Sequence, residues 1–393
     1  MENPLTALRK FVAPEFIFGN GALSKCAEYV RTFGATKILV VSDDGLVRAG
    51  WTPKVESLLK GAGIDFVRFD AVSPNPRDGE VMEGADFYRK QGCDMIVAVG
   101  GGSPMDCAKG IGVVAANGGH VLDFEGVDNV PIPMPPLLCI PTTAGTAADL
   151  SQFAIILDSL RSNKIAIISK GVVPDISLID PETTCTMDAE LSAATGMDAL
   201  THAIEAYASN AASPITDLHA LKAIEYLIAY LPQAIRRPLD TEARAGVMLG
   251  SLLAGLAFSN ASLGLVHAMA HALGGQLDLP HGLCNALLLE HVIAFNYEAA
   301  PERYDRVASA LLAQPDPTPH GPNRGGSAAI AEGLAKLRRS LGLGDRLEAA
   351  PVTAAQLDEL ARRALCDPCL LTNPRTASGA DIVGIYAAIL IRA

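Results

Sequence analysis

Three of the eight histidines of this 393-residue chain, His267, His271 and His281, fall in one otherwise apolar stretch, GLVHAMAHALGGQLDLPH, residues 264–281. His267 and His271 are four apart, so on a helix they share a face. The segment GMDALTHAIEAY, residues 196–207, repeats that spacing with Asp198 and His202. A carboxylate and an imidazole one turn apart can chelate one metal ion from a single helical face. Two such helices together with His281 make a four-ligand oxygen and nitrogen site. Any one of these histidines alone reads equally well as a hydrogen-bonded core residue. The metal reading rests on their grouping and on the matching Asp-x-x-x-His. No cysteine stands among these positions, which disfavours a structural zinc site. One Asp with several His suits divalent iron or zinc.

Two glycine- and hydroxyl-rich loops could do a different chemistry. AVGGGSPMDCAKG, residues 98–110, reads as a strand running into Gly100, Gly101 and Gly102, with Ser103 as N-cap and Pro104 opening a helix. Glycines admit a phosphate close to the backbone, and the N–H groups of a helix start attract it. The stretch is neither a GxGxxG fingerprint nor a P-loop, and an ordinary tight turn is the alternative. PTTAGTAAD, residues 141–149, has small and hydroxyl residues that suit a flat ring or a phosphate, or merely a turn. Asp43 ends the first clear strand, where an acid can bond the adenosine ribose and repel a 2′-phosphate, or simply cap a helix. The CDPC stretch, residues 366–369, lacks a second C-x-x-C and points to no redox chemistry.

These groups need two kinds of scaffold. KILVVSD, IDFVRFDAV, DMIVAVG and PLLCIPTT alternate with helical patterns over residues 37–143. Continuous apolar strands in such alternation predict a parallel sheet covered on both faces. FAIILD, KIAIIS and ISLIDP are the last strand-like pieces. From about residue 187 the chain turns to long Ala/Leu-rich helical patterns. The expected organisation is an α/β dinucleotide-binding domain, residues 1–187, and an all-α metal-binding domain, residues 188–393. A Pro/Gly-rich segment, residues 314–326, is expected as an exposed, mobile loop.

Hydrophobic residues make up 49% and charged ones 19%, which suits large cores. The net charge of −12 and the lack of a Lys/Arg run argue against nucleic acid as a partner. No apolar run approaches the roughly 18 residues of a membrane span, and the first residues lack a signal pattern. The eight cysteines are dispersed in apolar stretches, as in a reducing compartment. A cytoplasmic protein is the expectation.

Taken together, GGGSPMDCAKGIG, PTTAGTAAD, AATGMDALTHAIEAYAS, GLAFSNASLGLVHAMAHALGG, LPHGLCNALLLEHV and LLTNPR make the chain resemble, nearly end to end, the iron-containing (group III) alcohol dehydrogenases. The likeness is greatest to the branch of short-chain alcohol, methanol and lactaldehyde/propanediol dehydrogenases. The resemblance implies a dinucleotide-binding α/β domain, a helical domain and an active site in the cleft between them. It implies Asp198, His202, His267 and His281 as ligands of Fe2+, with Zn2+ or another divalent ion as alternatives. It matches Gly101, Gly102 and Ser103 to the pyrophosphate loop, Asp43 and Asn75 to the adenosine side of NAD, and Thr142, Thr143 and Lys164 to the nicotinamide half. Phe153, Phe258 and Cys369 fall around the substrate pocket. Many relatives read Gly-Ser-Glu where this chain has Ala147, Ala148 and Asp149, which puts cofactor contact at those three positions in question. The ligand set leaves His271 beside the metal, since a catalytic metal keeps one position open, and makes it the expected proton relay.

The implied reaction interconverts small primary alcohols and aldehydes, with hydride passing to NAD and the metal lowering the pKa of the alcohol. Two other classes are weighed against it. A non-redox NAD/metal enzyme of the dehydroquinate synthase-like superfold would carry basic residues for a sugar acid, and few stand near these motifs. A non-enzymatic metal-binding protein would not need the cofactor loops. A homodimer or larger homo-oligomer is expected from the relatives and from FVAPEFIFGNGA, residues 11–22, which reads as a strand and turn able to pair across an interface.

Overall fold

The computed structural model describes residues 10–311, 326–347 and 352–390. All but the last residue of the Pro/Gly-rich segment 314–326 lies outside them. The chain divides into two compact units, Val12–Thr186 and Met187–Ala393, with the N-terminal piece up to Phe11 grouped with the second. The Phe11 ring stacks on His219, 5.7 Å between centroids.

The first unit contains β1 (Glu15–Phe18), α1 (Cys26–Thr32), β2 (Lys37–Val41), α2 (Asp44–Ala49), α3 (Trp51–Gly61), β3 (Asp65–Phe69), α4 (Asp78–Gln91), β4 (Met95–Gly100) and α5 (Gly102–Asn117). It continues with β5 (Gly126–Val127), β6 (Leu137–Pro141), β7 (Phe153–Asp158), β8 (Asn163–Ile168) and β9 (Ile176–Ile179). Six strands form one sheet in the order β1-β9-β6-β4-β2-β3, and every pairing in it is parallel.

The sequence dictates this sheet through period-two burial on both faces. Leu39, Val41, Ile96 and Ala98 enter the core that includes Val81, Ala85, Ala108 and Ile111 of α4 and α5. Their neighbours Ile38, Val40, Val97 and Val99 enter the opposite core with Val30, Val55 and Leu59 of α1 and α3. No residue of β4 faces water, which is why the strand reads as an unbroken apolar run. β2 leads to β3 on one side while β4 leads to β6 on the other. The strand order therefore reverses between β2 and β4, and their carboxyl ends form the crevice where such sheets bind ligands.

The two strand-like pieces FAIILD and KIAIIS form strands as expected. β7 and β8 stand apart from the parallel sheet and pair antiparallel, with β5 alongside β8, in a separate three-stranded sheet. The four residues between β7 and β8, with Ser162 in the left-handed region (φ 47°), are too few for a crossover and make a hairpin instead.

The second unit is built from α6 (Ala189–Ala208), α7 (Pro214–Arg236), α8 (Thr241–Ala261), α9 (Leu265–Leu277), α10 (His281–Asn296), α11 (Pro301–Leu311), α12 (Ser327–Ser340), α13 (Ala354–Leu365) and α14 (Gly379–Ile389). α6 packs on α7, α8 and α10. At Gly282 the start of α10 comes so close to α6 that a Cβ would stand 2.4 Å from the Ala194 carbonyl oxygen. That approach lies one turn before Asp198 and carries His281 toward it. Among the described residues, no single helix is long and apolar enough to cross a membrane.

Candidate active site

In the helical unit the expected ligands meet. Asp198 and His202 stand one turn apart on α6, His267 lies on α9, and His281 is the first residue of α10. From Asp198 Oδ1 the distances are 3.6 Å to His267 Nε2, 3.7 Å to His281 Nε2 and 4.0 Å to His202 Nε2. Asp198, His267 and His281 each offer a ligand atom within 4.8 Å of the others. The His202 ring stacks on His267 (4.4 Å between centroids) and on Phe258 of α8 (4.3 Å).

The field in this pocket is strong. Burial would push the Asp198 carboxyl up, but the imidazoles of His202, His281 and His267 together hold it well below the usual carboxylate range. Burial would lower His267. The neighbouring Asp198 carboxylate and the hydrogen bond with Glu205 outweigh that and raise it to about 9. A cation is the other way to satisfy the same acceptors.

The donor set fits one. The amide nitrogen of Asn285 lies where the side chains converge. It donates to Asp198 Oδ1 at 2.6 Å and stands 3.1 Å from both His267 Nε2 and His281 Nε2. An amide has two hydrogens for these three neighbours, and Asn285 Oδ1 is buried without a hydrogen-bond partner. A divalent ion takes one carboxylate oxygen and several imidazole nitrogens with no such shortfall.

His271 sits beside this cluster, with its ring stacked on His281 at 5.3 Å and edge-on to His267 at 6.0 Å. Its Nδ1 bonds Asp367 Oδ2 at 2.8 Å. Asp367 Oδ1 accepts the Cys369 N–H at 2.8 Å, capping a short 3₁₀ turn, Pro368–Thr372. Burial works against the Asp367 charge, yet His271 and Cys369 keep its carboxyl low. The Cys369 thiol is buried and pushed well above its ordinary value, chiefly by desolvation, which leaves it unreactive.

Three participants escaped the sequence reading: Asn285, Glu205 and Asp367. Asn285 is four residues after His281, the spacing that revealed the histidines, and Glu205 is three after His202, which also shares a helical face. Asp367 lies inside the CDPC stretch that was read only for its cysteines.

In the first unit, the β4–α5 turn and the threonine loop come together. The α5 helix starts two residues earlier than Ser103 and Pro104 suggest. Its N-cap is Gly101, Gly102 is its first residue and no side chain caps it. Pro104 is tolerated because the first turn needs no N–H partner within the helix. A Cβ on Gly101 would lie 3.0 Å from Thr143 Cγ2, and one on Gly102 would lie 2.9 Å from Thr146 Cγ2. The Thr142 N–H donates to the Gly100 carbonyl at 2.9 Å. This is an uncapped helix start in a cradle that side chains at 101 and 102 would fill, as anion binding requires.

Asp43 follows β2 and is the N-cap of α2, where its Oδ1 accepts the Leu46 N–H at 2.9 Å. Asn75 is left-handed (φ 57°) in the turn after β3. Lys164 lies on β8 opposite Leu157 and is largely buried. Nearby, the Lys109 ammonium donates to the carbonyls of Ser151 (2.9 Å) and Phe153 (2.7 Å). Desolvation pushes the carboxyl of the half-buried Asp106 up to about 7, with Lys109 and Lys164 limiting the rise. Asp149 accepts from Ser177 Oγ at 2.5 Å, a buried tie to β9. Of the three residues expected around the substrate, Phe258 and Cys369 accompany the histidines, while Phe153 belongs to the first unit.

This combination of a switch-point glycine turn in one unit and an Asp/His cluster in the other defines a cofactor-using metalloenzyme. Residues 13–181 match the family model for iron-containing alcohol dehydrogenase, and residues 192–390 match that for the C-terminal part of the same family. The chain is 42% identical to alcohol dehydrogenase 4 of Schizosaccharomyces pombe, over 96% of this chain and 88% of that one. It is 38% identical to an NAD-dependent methanol dehydrogenase of Bacillus methanolicus, over 95% and 98%. Among solved structures, that of a 1,3-propanediol oxidoreductase superposes with a TM-score of 0.90 at 37% identity, covering 97% of this chain and 99% of its own. The chain belongs to the iron-containing alcohol dehydrogenase family and is an alcohol/aldehyde oxidoreductase.

Proposed function

We propose that the protein is an NAD-linked, Fe2+-dependent dehydrogenase that interconverts small primary alcohols and their aldehydes. Residues 1–187 serve as the dinucleotide-binding domain and residues 188–393 as the metal-binding domain. The observation that carries this reading is the convergence of Asp198 Oδ1, His267 Nε2 and His281 Nε2 on one point, with His202 Nε2 at 4.0 Å from the same oxygen. These four side chains would hold the ion. When bound, the ion acts as a Lewis acid toward an alcohol or carbonyl oxygen, and the nicotinamide exchanges hydride with the adjoining carbon.

The chain's own groups do the rest. His271, tied through Nδ1 to Asp367, keeps Nε2 for the alcohol proton and passes it toward solvent. Gly101, Gly102 and Ser103 receive the pyrophosphate at the start of α5. Thr142, Thr143 and Lys164 line the nicotinamide half, and Asn75 the adenosine side. Asp43 selects NAD, because a 2′-phosphate would meet its negative charge. Phe153, Phe258 and Cys369 are assigned to the substrate, and such apolar side chains suit short apolar or diol substrates.

The enzyme works as a homodimer or larger homo-oligomer. β1 lies at an edge of the six-stranded sheet and leaves backbone groups for a second strand. Among the described residues, none of the cysteines is in a disulfide, in keeping with a cytoplasmic setting.

The deciding experiment is a kcat/KM panel with the iron-loaded protein and NAD, run on C1–C4 alcohols and diols against carboxylated and phosphorylated alcohols. The short alcohols should lead. Higher efficiency on any charged substrate overturns the assignment.

A further inference from the structure

Resting on the metal site proposed above, we infer that Glu205 is the positioning residue that makes His267 a ligand, by holding the proton of His267 on Nδ1 and so turning the lone pair of Nε2 to the ion. Glu205 lies on α6 seven residues after Asp198 and three after His202, so one helical face carries two of the proposed ligands and this acid. Glu205 Oε2 stands 2.5 Å from His267 Nδ1, and both side chains are buried. A neutral imidazole has one N–H and one lone pair, and which nitrogen carries which is set by the hydrogen bond that the other makes.

The second carboxylate oxygen explains why the residue is an acid and not an amide. Glu205 Oε1 accepts the backbone N–H of Val266 at 2.7 Å. Both neighbours of Glu205 are therefore donors. A glutamine would satisfy one and turn its own N–H groups on the other. Val266 is in the first turn of α9, whose N-cap, Gly264, supplies no side-chain bond. Glu205 thus serves as a cap brought from another helix, at the end where the helix dipole favours negative charge. Asn373 Oδ1 takes the neighbouring Leu265 N–H at 3.0 Å. A Cβ at position 264 would come within 2.9 Å of Glu205 Oε1 and 2.8 Å of Asn373 Oδ1, so glycine keeps both acceptors at the helix start. The arrangement locks the backbone that carries His267 and the tautomer of its ring with one side chain.

The test compares the wild-type chain, Glu205→Gln and His267→Ala, each loaded with cobalt(II), by chelator competition and by the visible absorption of the bound ion. Glu205→Gln should weaken cobalt binding about 10- to 100-fold and alter the visible bands of the saturated protein. His267→Ala should lose more. If Glu205→Gln binds cobalt within twofold of wild type with unchanged bands, while His267→Ala loses the ion, the role of Glu205 is refuted and the metal site stands. Undiminished cobalt binding by His267→Ala refutes the metal site itself. A merely structural cap would lower the unfolding temperature of Glu205→Gln and leave the bands alone, which also overturns the inference. Should that variant fail to fold, nitrogen-15 NMR of the zinc-loaded wild type decides: a proton on Nδ1 of His267 and the metal on Nε2 support the inference, and the reverse refutes it.

Discussion

The β4–α5 turn and the histidine cluster solve opposite problems. The turn leaves space: Gly101 and Gly102 keep side chains away from an uncapped helix start, where the proposed function puts the pyrophosphate on backbone N–H groups. The cluster works by filling space with charge that only neighbouring charge makes tolerable, an aspartate among imidazoles with two further carboxylates behind. Adding atoms should damage the turn, whereas removing them should damage the cluster. The cluster should also respond far more strongly to protons and metal.

The largest effect is expected from His267→Ala, which should lower metal affinity by more than roughly 100-fold and abolish alcohol oxidation with it. Elemental analysis and turnover check this together. Full metal content in that variant would erase the contrast between the two regions.

Next comes the response of the chelator-treated chain to pH. His267 is raised in the folded state to about 9, so the folded form keeps a proton that the unfolded form releases near pH 6.5. Stability from this group is full below pH 6.5 and is lost as pH climbs through about 9, by up to roughly 3 kcal/mol. Thermal unfolding at several pH values should show the fall, and loading with zinc should abolish it, because a metal-bound ring cannot hold that proton.

His271→Asn separates relay from ligand within the cluster. Metal content should stay, kcat for oxidation should drop about 100-fold, and the pH profile of kcat should change shape. Loss of metal would make His271 a ligand instead.

Gly102→Ala probes the turn. The added methyl meets Thr146 at 2.9 Å. It should raise the KM for NAD about tenfold, a cost of roughly 1.4 kcal/mol, with metal content untouched. An equal loss of metal would mean that the two regions are not independent.

The smallest effect concerns the threonine loop. Ala147 has φ 47°, a conformation that costs an L-residue about 1–2 kcal/mol. Ala147→Gly should relieve part of this and raise stability by about 0.5–1 kcal/mol, measured by denaturant unfolding, against the usual loss of entropy. It also gives the Gly of many relatives at this position a physical reason.

The two regions were not equally legible in the sequence. Spacing exposed Asp198, His202, His267 and His271, because a helix turns residues four apart onto one face and the rest of each segment is apolar. Asn285 sits at the same spacing from His281 but was hidden, since Leu-Pro-His-Gly reads as a turn and not as the first residues of α10. Glu205 and Asp367 were hidden for another reason. An acid acquires its role from partners 62 and 96 residues away, and only tertiary packing names them. In the first unit the continuous apolar strands were plain. Their partners were less so: an apolar run does not reveal strand direction, and nothing in FAIILD or KIAIIS shows that β7 and β8 form a hairpin outside the parallel sheet. The start of α5 was misplaced by two residues because Ser103 and Pro104 are strong start signals, while the true N-cap is a glycine with no side chain to give it away.

Asp43 has a consequence for anyone who would redesign the protein to accept a phosphorylated cofactor. Its Oδ1 is already committed to the first turn of α2. Substitutions that delete the charge therefore also touch the start of a helix. Alanine would sacrifice the cap at about 1 kcal/mol, and glycine a few tenths. Serine discards the negative charge, shortens the side chain and still offers an oxygen to the Leu46 N–H, so it is the replacement with the least collateral damage.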